Sequence, residues 1–285
     1  RAARPVSGRV WPAAAGAGDG RSHTPVAALL GPIWLAPALT CESCAQVTAV
    51  TVAGWAGTGV DAALDGLDTS GADYTRILAQ AATVNAGIWA QDLQISAGSN
   101  DIAANGATAA VSDGPSPTAA VAVDTGALGG MYAGKISLIS TEKGVGIHNA
   151  GQLFAAAGGV SLAAAGNIVN SGSIVAADKS GSSTDKATVA IQAAHFHNSG
   201  SLSAQGAARI QTASLNNSGL LASAAELNIR NQAALANSGR INAARLDMET
   251  GRLNHSGHTT QTGSQDLAIE AANLHNRAGG LIGYT

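Results

Sequence analysis

Hydrophobic residues recur through the second half of the chain in a short repeated pattern. An apolar-x-apolar triplet is followed five to seven residues later by a single Leu or Phe, then by an Asn-x-Gly turn and another aliphatic residue. The segments Leu227-Asn228-Ile229 and Leu246-Asp247-Met248 are two such triplets. Because side chains alternate across a strand with a period of two, each repeat predicts about three short strands whose aliphatic residues point inward.

The turn that ends each repeat is its most regular part. The turn glycines, from Gly151 to Gly279, follow one another at spacings of 21, 28, 19, 20, 18 and 22 residues. A repeat of about twenty residues cannot bury its own apolar face, so the pattern predicts a solenoid of stacked coils. We therefore expect an all-β fold, a parallel β-helix. The predicted turn ladder consists of Asn149, Asn170, Asn198, Asn217, Asn237, His255 and Asn276.

The residue types of the turn suggest a structural role. Asparagine tolerates the left-handed backbone region, and the glycine that follows adopts it without steric cost. Asparagine side chains of successive coils can also hydrogen-bond to one another, as they do in other stacked β-structures. We interpret the ladder as turn residues rather than as a ligand site.

Three zones divide the chain. Residues 1–40 are rich in Pro, Gly and Ala, show no periodicity, and are expected to be poorly ordered. The uncharged stretch Pro25–Leu39 is either a remnant of a secretory signal or an apolar fragment, and it is too short and too interrupted by proline to span a bilayer. Residues 41–148 contain strand-like segments without a clean repeat, and residues 149–285 carry the repeats.

Within the middle zone two segments differ from the rest. Ile77, Leu78 and Ala81 have helical spacing, which predicts a short helix over Tyr74–Ala82. The stretch from Ala103 to Pro117 is typical of an exposed loop. The strand-like segments are Val47–Val52, Thr83–Trp89, Leu93–Ala97, Val121–Val123 and Lys135–Ser140.

The single long spacing, 28 residues between Gly172 and Gly200, has a visible cause in a polar insertion. Residues Asp178 to Lys186 are flexible and charged, and removing them restores a spacing near nineteen. We expect the insertion to loop out of the rod. It is either a tolerated surface insertion or part of a binding face.

Composition and charge exclude several classes of protein. A hydrophobic fraction of 46% with a net charge of -3 is incompatible with disorder of the whole chain. Fifteen basic residues against 18 acidic ones give no basic surface for nucleic acid or anionic lipid. The aromatic content of 3% favours a thin core of small aliphatic residues over a thick globular one.

Candidate chemistry is sparse. Cys41 and Cys44 form a Cys-x-x-Cys pair, which we interpret as a local disulfide or two inert thiols because a zinc site needs two further ligands. Several histidines lie near the ladder but belong to different coils, so we expect no metal site and no cofactor. These histidines are His195, His197, His255, His258 and His275.

A catalytic alternative depends on one carboxylate pair. Asp247 and Glu249 lie two residues apart on a predicted strand, with Arg245 and Arg230 nearby in the repeat. Glycosidases use two carboxyl groups about 5 to 9.5 Å apart, so a β-helical polysaccharide-cleaving enzyme is one hypothesis. A carboxylate pair on a solvated strand face is common, and we expect no catalytic function.

Parts of the middle zone resemble a known family. The segments Asn85–Ala90 and Gly129–Lys135 are similar to the secretion domain of filamentous haemagglutinin-like exoproteins of two-partner secretion systems, a class that includes contact-dependent growth-inhibition exoproteins. Three further segments share this resemblance, and the downstream Asn-Ser-Gly coils resemble the haemagglutinin repeats of that family. The three are Gly66–Tyr74, Leu93–Asn100 and Gly144–Asn149.

The resemblance, which covers roughly residues 41–285, implies a right-handed parallel β-helix and export by an outer-membrane transporter. It also implies a role in adhesion or in carrying a toxin. The family's Asn-Pro-Asn motifs are absent from this sequence, and we expect an absent or degenerate signal peptide.

We therefore expect a secreted or surface-attached, adhesin-like structural fragment from a Gram-negative bacterium. Its receptor is unknown, and nucleic acid is not expected to be a partner. The alternative within the family is the shaft of a contact-dependent growth-inhibition toxin, which a toxin module beyond the repeats would distinguish. Open coil ends expose unpaired backbone, so self-association through them is a further expectation.

Overall fold

The computed structural model describes residues 26–29, 49–53, 61–64, 66–79, 81–98, 100–102, 108–110, 121–178 and 187–284. These residues form 23 β-strands, and none of them forms a helix that is long and apolar enough to cross a membrane. The first twelve strands are β1 Val26–Leu29, β2 Ala49–Ala53, β3 Asp61–Leu64, β4 Leu67–Thr69, β5 Tyr74–Ala79, β6 Ala81–Val84, β7 Gly87–Ala97, β8 Asn100–Ile102, β9 Thr108–Ala110, β10 Val121–Thr125, β11 Gly130–Ser140 and β12 Gly146–Asn149. The others are β13 Gln152–Ala164, β14 Asn167–Asn170, β15 Ser173–Ala176, β16 Val189–Asn198, β17 Ser201–Ala204, β18 Ala208–Asn217, β19 Leu220–Asn237, β20 Arg240–His255, β21 His258–Gln261, β22 Ala268–Asn276 and β23 Leu281–Tyr284.

Twenty-one of these strands pair in parallel, each with the equivalent strand of the next coil, and only β8 and β9 form a separate antiparallel pair. The predicted parallel β-helix is therefore confirmed, with about nine turns. Each coil runs through three faces. In the repeat region the strand after the Asn-x-Gly turn forms the first face, the apolar-x-apolar strand forms the second, and the strand that leads into the next turn forms the third.

The aliphatic positions of the second face lie over one another from coil to coil. Val160 pairs with Val189, which pairs with Ala208. Ala208 pairs with Leu227, and Leu227 pairs with Leu246. All five residues are at most 2% exposed, so this one column forms a continuous part of the core. The predicted alternation therefore holds along the rod.

Burial of these columns is what holds the coils together. Phe196, the largest fully buried side chain, pairs with Ile168 of the preceding coil and Leu215 of the following one. Each buried aliphatic side chain contributes roughly 1.5–3 kcal/mol, which offsets the entropy lost in ordering its coil only when a neighbouring coil is already present. Leu274 continues the column that contains Phe196, since it pairs with Leu253 of the preceding coil.

The predicted helix over Tyr74–Ala82 is wrong. The segment forms the strands β5 and β6, and its burial alternates: Thr75 and Ile77 are at most 1% exposed, with Arg76 between them half-buried. Thr75 and Ile77 pair with Leu93 and Ile95 of β7. The period-two contact with the neighbouring coil overrides the local helical spacing.

Other sequence predictions fall partly or wholly outside the described residues. The loop predicted over Ala103–Pro117 contains strand β9, paired with β8, and its other residues are not described. The Cys41 and Cys44 pair lies outside the described residues, as do residues 1–40 apart from strand β1. Of the insertion, Asp178 alone is described, and the coils on either side keep their stacking, since Ala176 pairs with Ala204.

Candidate functional site

The asparagines of the Asn-x-Gly turns form a continuous chain of buried hydrogen bonds inside the rod. The side chain of Asn149 donates from Nδ2 to Asn170 Oδ1 at 2.8 Å, and each following amide repeats this contact with the next. The equivalent Nδ2 to Oδ1 distances are 2.7 Å for Asn170 to Asn198, 2.8 Å for Asn198 to Asn217 and 2.7 Å for Asn217 to Asn237. All five amides are at most 1% exposed.

The ladder has a single direction. From Asn149 to Asn217 each Nδ2 also approaches a main-chain carbonyl in the following coil, for example Asn170 Nδ2 to Ser201 O at 3.1 Å, whereas Asn237 Nδ2 approaches Thr259 Oγ1 at 3.4 Å. Because a carbonyl oxygen can only accept, these contacts fix which end of each amide is the nitrogen. Every amide therefore donates toward the C-terminal end of the rod and accepts from the N-terminal side.

The turn glycines are required for a different reason from the one predicted. None of the ladder glycines from Gly151 to Gly257 has a positive φ, so the left-handed explanation of the turn is wrong for them. Instead, a Cβ at Gly172 would lie 2.1 Å from Gly151 O, and one at Gly219 would lie 2.0 Å from Gly200 O. Only glycine allows the backbones of stacked turns to approach this closely.

The C-terminal end of the ladder differs from its middle. Asn237 Nδ2 lies 3.2 Å from His255 Nδ1, and His255 Nε2 lies 3.0 Å from Leu281 O. His255 is 1% exposed and so takes the place of an asparagine. Asn276, the last predicted member, is exposed and bonds within its own turn to Gly280 O at 3.0 Å. The structure therefore joins six of the seven predicted residues.

The N-terminal end of the ladder holds two unpartnered atoms. Thr125 pairs with Asn149 in register and occupies the ladder position one coil earlier. Its Oγ1 and Asn149 Oδ1 are both buried without a hydrogen-bond partner. An orphaned buried polar group costs about 1–3 kcal/mol, so the ladder is least favourable where it begins.

The candidate catalytic carboxylates are engaged in ion pairs. Arg230 binds Asp247 with two contacts, Nη1 to Oδ1 at 3.0 Å and Nη2 to Oδ2 at 2.7 Å, and its Nε lies 3.3 Å from Glu249 Oε2. The hydrogen bond from Arg230 lowers the pKa of Asp247, and the same bond raises the pKa of Arg230. A carboxylate held ionised in this way is a poor proton donor, so the geometry argues against glycoside cleavage at this pair.

The candidate metal ligands remain apart. His195 Nδ1 contacts Ser214 Oγ at 2.5 Å and His148 Nδ1 contacts Asp124 Oδ1 at 2.8 Å, both at the half-exposed or exposed surface. Within the part of the chain that the structure describes, no three His, Cys, Asp or Glu side chains are grouped closely enough to bind a metal ion.

Exposed aromatic side chains mark the first half of the rod and were not singled out from the sequence. The rings of Trp89 and Tyr132 stack with centroids 5.8 Å apart, on paired positions of β7 and β11. Trp89 is 47% exposed and Leu128 is 91% exposed. Each stacked ring lies against a glycine two residues before it, Gly87 or Gly130. This Gly-x-aromatic spacing is the sequence signal that could have revealed the pair.

Comparison with known proteins identifies this first half. The TPS secretion domain family matches residues 57–170. Residues 57–170 therefore carry the secretion domain of two-partner secretion exoproteins. A TPS secretion domain implies export through an outer-membrane transporter, and hence secretion or cell-surface association in a Gram-negative bacterium. No solved structure matches the chain.

Curated relatives match over the same part of the chain. It is 49% identical to Toxin CdiA of Yersinia pestis over 116 residues, which is 40% of this chain and 4% of that protein. It is 45% identical to tRNA nuclease CdiA-2 of Burkholderia pseudomallei over 109 residues, 38% of this chain and 3% of that protein. It is 42% identical to the 16S rRNA endonuclease CdiA of Enterobacter cloacae over 132 residues, 46% of this chain and 4% of that protein.

Proposed function

We propose that this chain is the export domain and the first shaft coils of a contact-dependent growth-inhibition exoprotein. The observation that carries the proposal is the set of names among its relatives, which are called toxin or nuclease while sharing only the secretion-domain region with this chain. The matched segment spans about 4% of those proteins, so the activity of the whole protein is part of the proposal.

We infer no catalytic role for the shared segment itself. Relatives named for a tRNA nuclease and for a 16S rRNA endonuclease are similarly close to this chain, at 45% and 42% identity. A region common to proteins with different named activities cannot specify any one of them, because specificity depends on the residues of each site. In the repeats beyond the shared segment, the ion-paired state of Asp247 supports a structural role as well.

The same proposal divides the chain into three regions. We assign residues 41–148 to the secretion-domain-like β-helix, residues 149–285 to the haemagglutinin-type repeats, and residues 1–40 to a separate Pro-, Gly- and Ala-rich segment. The hydrogen-bonded ladder starts at Asn149, which supports a change of architecture at that boundary. The partner in export is the outer-membrane transporter of the same secretion system.

An adhesin is the second candidate function. The described repeat coils present a nearly neutral outer surface of short side chains, with no exposed large hydrophobic residue between Leu128 and the last coil. Such a surface favours an extended contact with a receptor over a pocket. Self-association through open coil ends stays a further prediction.

One experiment separates the two functions. Cells that produce the exoprotein containing this chain, together with its transporter, are co-cultured with unprotected target cells, and both target survival and cell attachment are counted. A growth-inhibition shaft predicts contact-dependent loss of viable targets, and removal of everything after the repeats abolishes the loss while export persists. Attachment without any loss of viable targets contradicts the growth-inhibition proposal and supports the adhesin.

A further inference from the structure

His255 is the one titratable member of the ladder that runs from Asn149 to His255. Its two hydrogen-bond neighbours determine which ring nitrogen carries the hydrogen. The amide nitrogen of Asn237 lies 3.2 Å from Nδ1 and can only donate. The carbonyl oxygen of Leu281 lies 3.0 Å from Nε2 and can only accept. Nδ1 must therefore be an unprotonated acceptor and Nε2 must carry the hydrogen. The ladder is complete at this position only with a neutral imidazole.

Protonation of the ring would place an N–H at Nδ1 against the N–H groups of Asn237. Asn237 cannot simply turn its amide around, because its Oδ1 accepts from Asn217 Nδ2 at 2.7 Å. A flip would set two NH2 groups against each other and would have to be repeated through every amide back to Asn149. The amides from Asn149 to Asn217, once reversed, would also lose their contacts with main-chain carbonyls of the next coil, such as Asn217 Nδ2 to Arg240 O at 3.2 Å.

The strand segments around His255 offer no acidic side chain to pair with a protonated ring. The strand segments that surround it, residues 231–240, 250–260 and 272–284, contain no Asp or Glu. The ring is 1% exposed, and burying an unpaired charge is strongly unfavourable. The other titratable or charged groups of these segments are exposed, and all but Tyr284 are basic: Arg240 and Arg252 on β20, His258 on β21, His275 and Arg277 on β22, and Tyr284 on β23.

We propose that His255 is an acid-sensitive latch that joins the segment of residues 258–284 to the coil below it. In the closed state the neutral ring continues the ladder from Asn237 to Leu281. When the ring takes up a proton, the bond to Asn237 is lost and the charged ring leaves the interior, which opens residues 252–284 while the coils below stay closed. Because the open state binds one more proton, acid favours opening by up to about 10-fold per pH unit.

Hydrogen-deuterium exchange of the full chain tests the latch. Exchange is followed by mass spectrometry between pH 7.5 and 5.0 and corrected for the intrinsic pH dependence of amide exchange. Peptides from residues 252–284 are expected to lose up to about 10-fold of protection per pH unit as the solution is acidified. Peptides from residues 189–237 are expected to keep their protection over the same pH range.

Two variants make the test specific. His255→Asn supplies the residue used elsewhere in the ladder and removes the titratable group, so protection of the last coil should become independent of pH. His275→Asn replaces an exposed histidine of the next coil and should keep the wild-type pH dependence. The latch is overturned if His255→Asn retains the acid-dependent loss of protection, or if the wild-type coil shows none.

A second measurement does not require a variant to fold. Nitrogen-15 NMR of the wild-type imidazole rings distinguishes the two neutral tautomers and the charged ring. The latch predicts that His255 is neutral at pH 7.5 with its hydrogen on Nε2. A ring that carries a hydrogen on Nδ1 in the folded protein at this pH contradicts the proposal.

Discussion

The side chain of Asn170 donates from Nδ2 to Asn198 Oδ1 at 2.7 Å, although the two residues are 28 positions apart in the chain. The other asparagine pairs in the ladder are 19 to 21 positions apart and have the same geometry. The geometry of the ladder is therefore set by the stacking of coils and not by the number of residues in each.

The ladder predicts a large effect for the loss of one buried amide. Asn198→Ala leaves Asn217 Oδ1 without its donor and removes the side-chain acceptor of Asn170 Nδ2, which keeps only its contact with Ser201 O. At about 1–3 kcal/mol for each orphaned group, we expect the free energy of unfolding to fall by roughly 2–4 kcal/mol. Denaturant unfolding of the chain measures the change. The matched control is Asn216→Ala, an exposed neighbour, and an equal loss there would contradict a special role for the buried amides.

The close approach of stacked turns predicts that their glycines cannot be replaced. A Cβ at Gly219 would lie 2.0 Å from Gly200 O, so Gly219→Ala must push two coils apart. We expect a loss of about 3 kcal/mol, the upper range for overpacking. Gly71→Ala is the control, since a Cβ there meets nothing within 4 Å and φ is not positive. Thermal unfolding of both variants measures their stability. A Gly219→Ala variant as stable as the wild type would refute the steric explanation.

These two predictions show what could and could not be read from the sequence. The coils, their aliphatic columns and the ladder positions were visible because each repeat carries the same pattern. The reason for the glycines was not visible, because a single repeat does not show the carbonyl of the turn stacked beneath it. The helix predicted around Ile77 failed for the same reason: its pairing with Ile95 in the next coil outweighed local spacing.

The aromatic pair was missed for a different reason. Trp89 and Tyr132 occupy paired positions, yet the chain between them includes the antiparallel strands β8 and β9, which break the period. Asn276 also matches the turn pattern, but its side chain bonds within its own turn to Gly280 O and not to the ladder.

The ion pair between Arg230 and Asp247 predicts a specific dependence of stability on pH. The hydrogen bond from Arg230 lowers the pKa of Asp247 in the folded state. The contribution of the ion pair to the free energy of unfolding is therefore present above the pKa of the unfolded state, near 3.9, and is lost as the pH falls through the lower pKa of the folded state. Because both side chains are partly solvated, we expect only about 0.5–1 kcal/mol.

Urea unfolding of the wild type and Asp247→Asn between pH 7 and 3 measures this contribution. The difference in the free energy of unfolding between the two proteins should be constant above about pH 5 and should shrink below about pH 4. Asp266→Asn, at an exposed position, should show no such change. A difference that grows as the solution is acidified would have the wrong sign for this ion pair.

The stacked rings of Trp89 and Tyr132 predict a measurable coupling between them. With centroids 5.8 Å apart and planes inclined by 15°, the pair should contribute about 0.5–1.5 kcal/mol beyond the area it buries. A double-mutant cycle of Trp89→Ala and Tyr132→Ala, read by denaturant unfolding, gives this energy directly. The control cycle combines Trp89→Ala with Tyr74→Ala, because Tyr74 does not stack on Trp89. A similar coupling energy in the control cycle would show that ring stacking is not its cause.

The central claim is that coils lie one above another along a single rod, and spin-label distances test it most directly. The outward positions Gln94, Ser161, Arg209 and Ala268 are connected by successive strand pairings. With labels at Ala268 and one other position, and with both cysteines replaced by serine, electron paramagnetic resonance measures each separation. At about 4.8 Å per coil, backbone separations of roughly 14, 24 and 34 Å are expected for Arg209, Ser161 and Gln94. Distances that fail to rise in equal steps per coil would contradict the stacked rod.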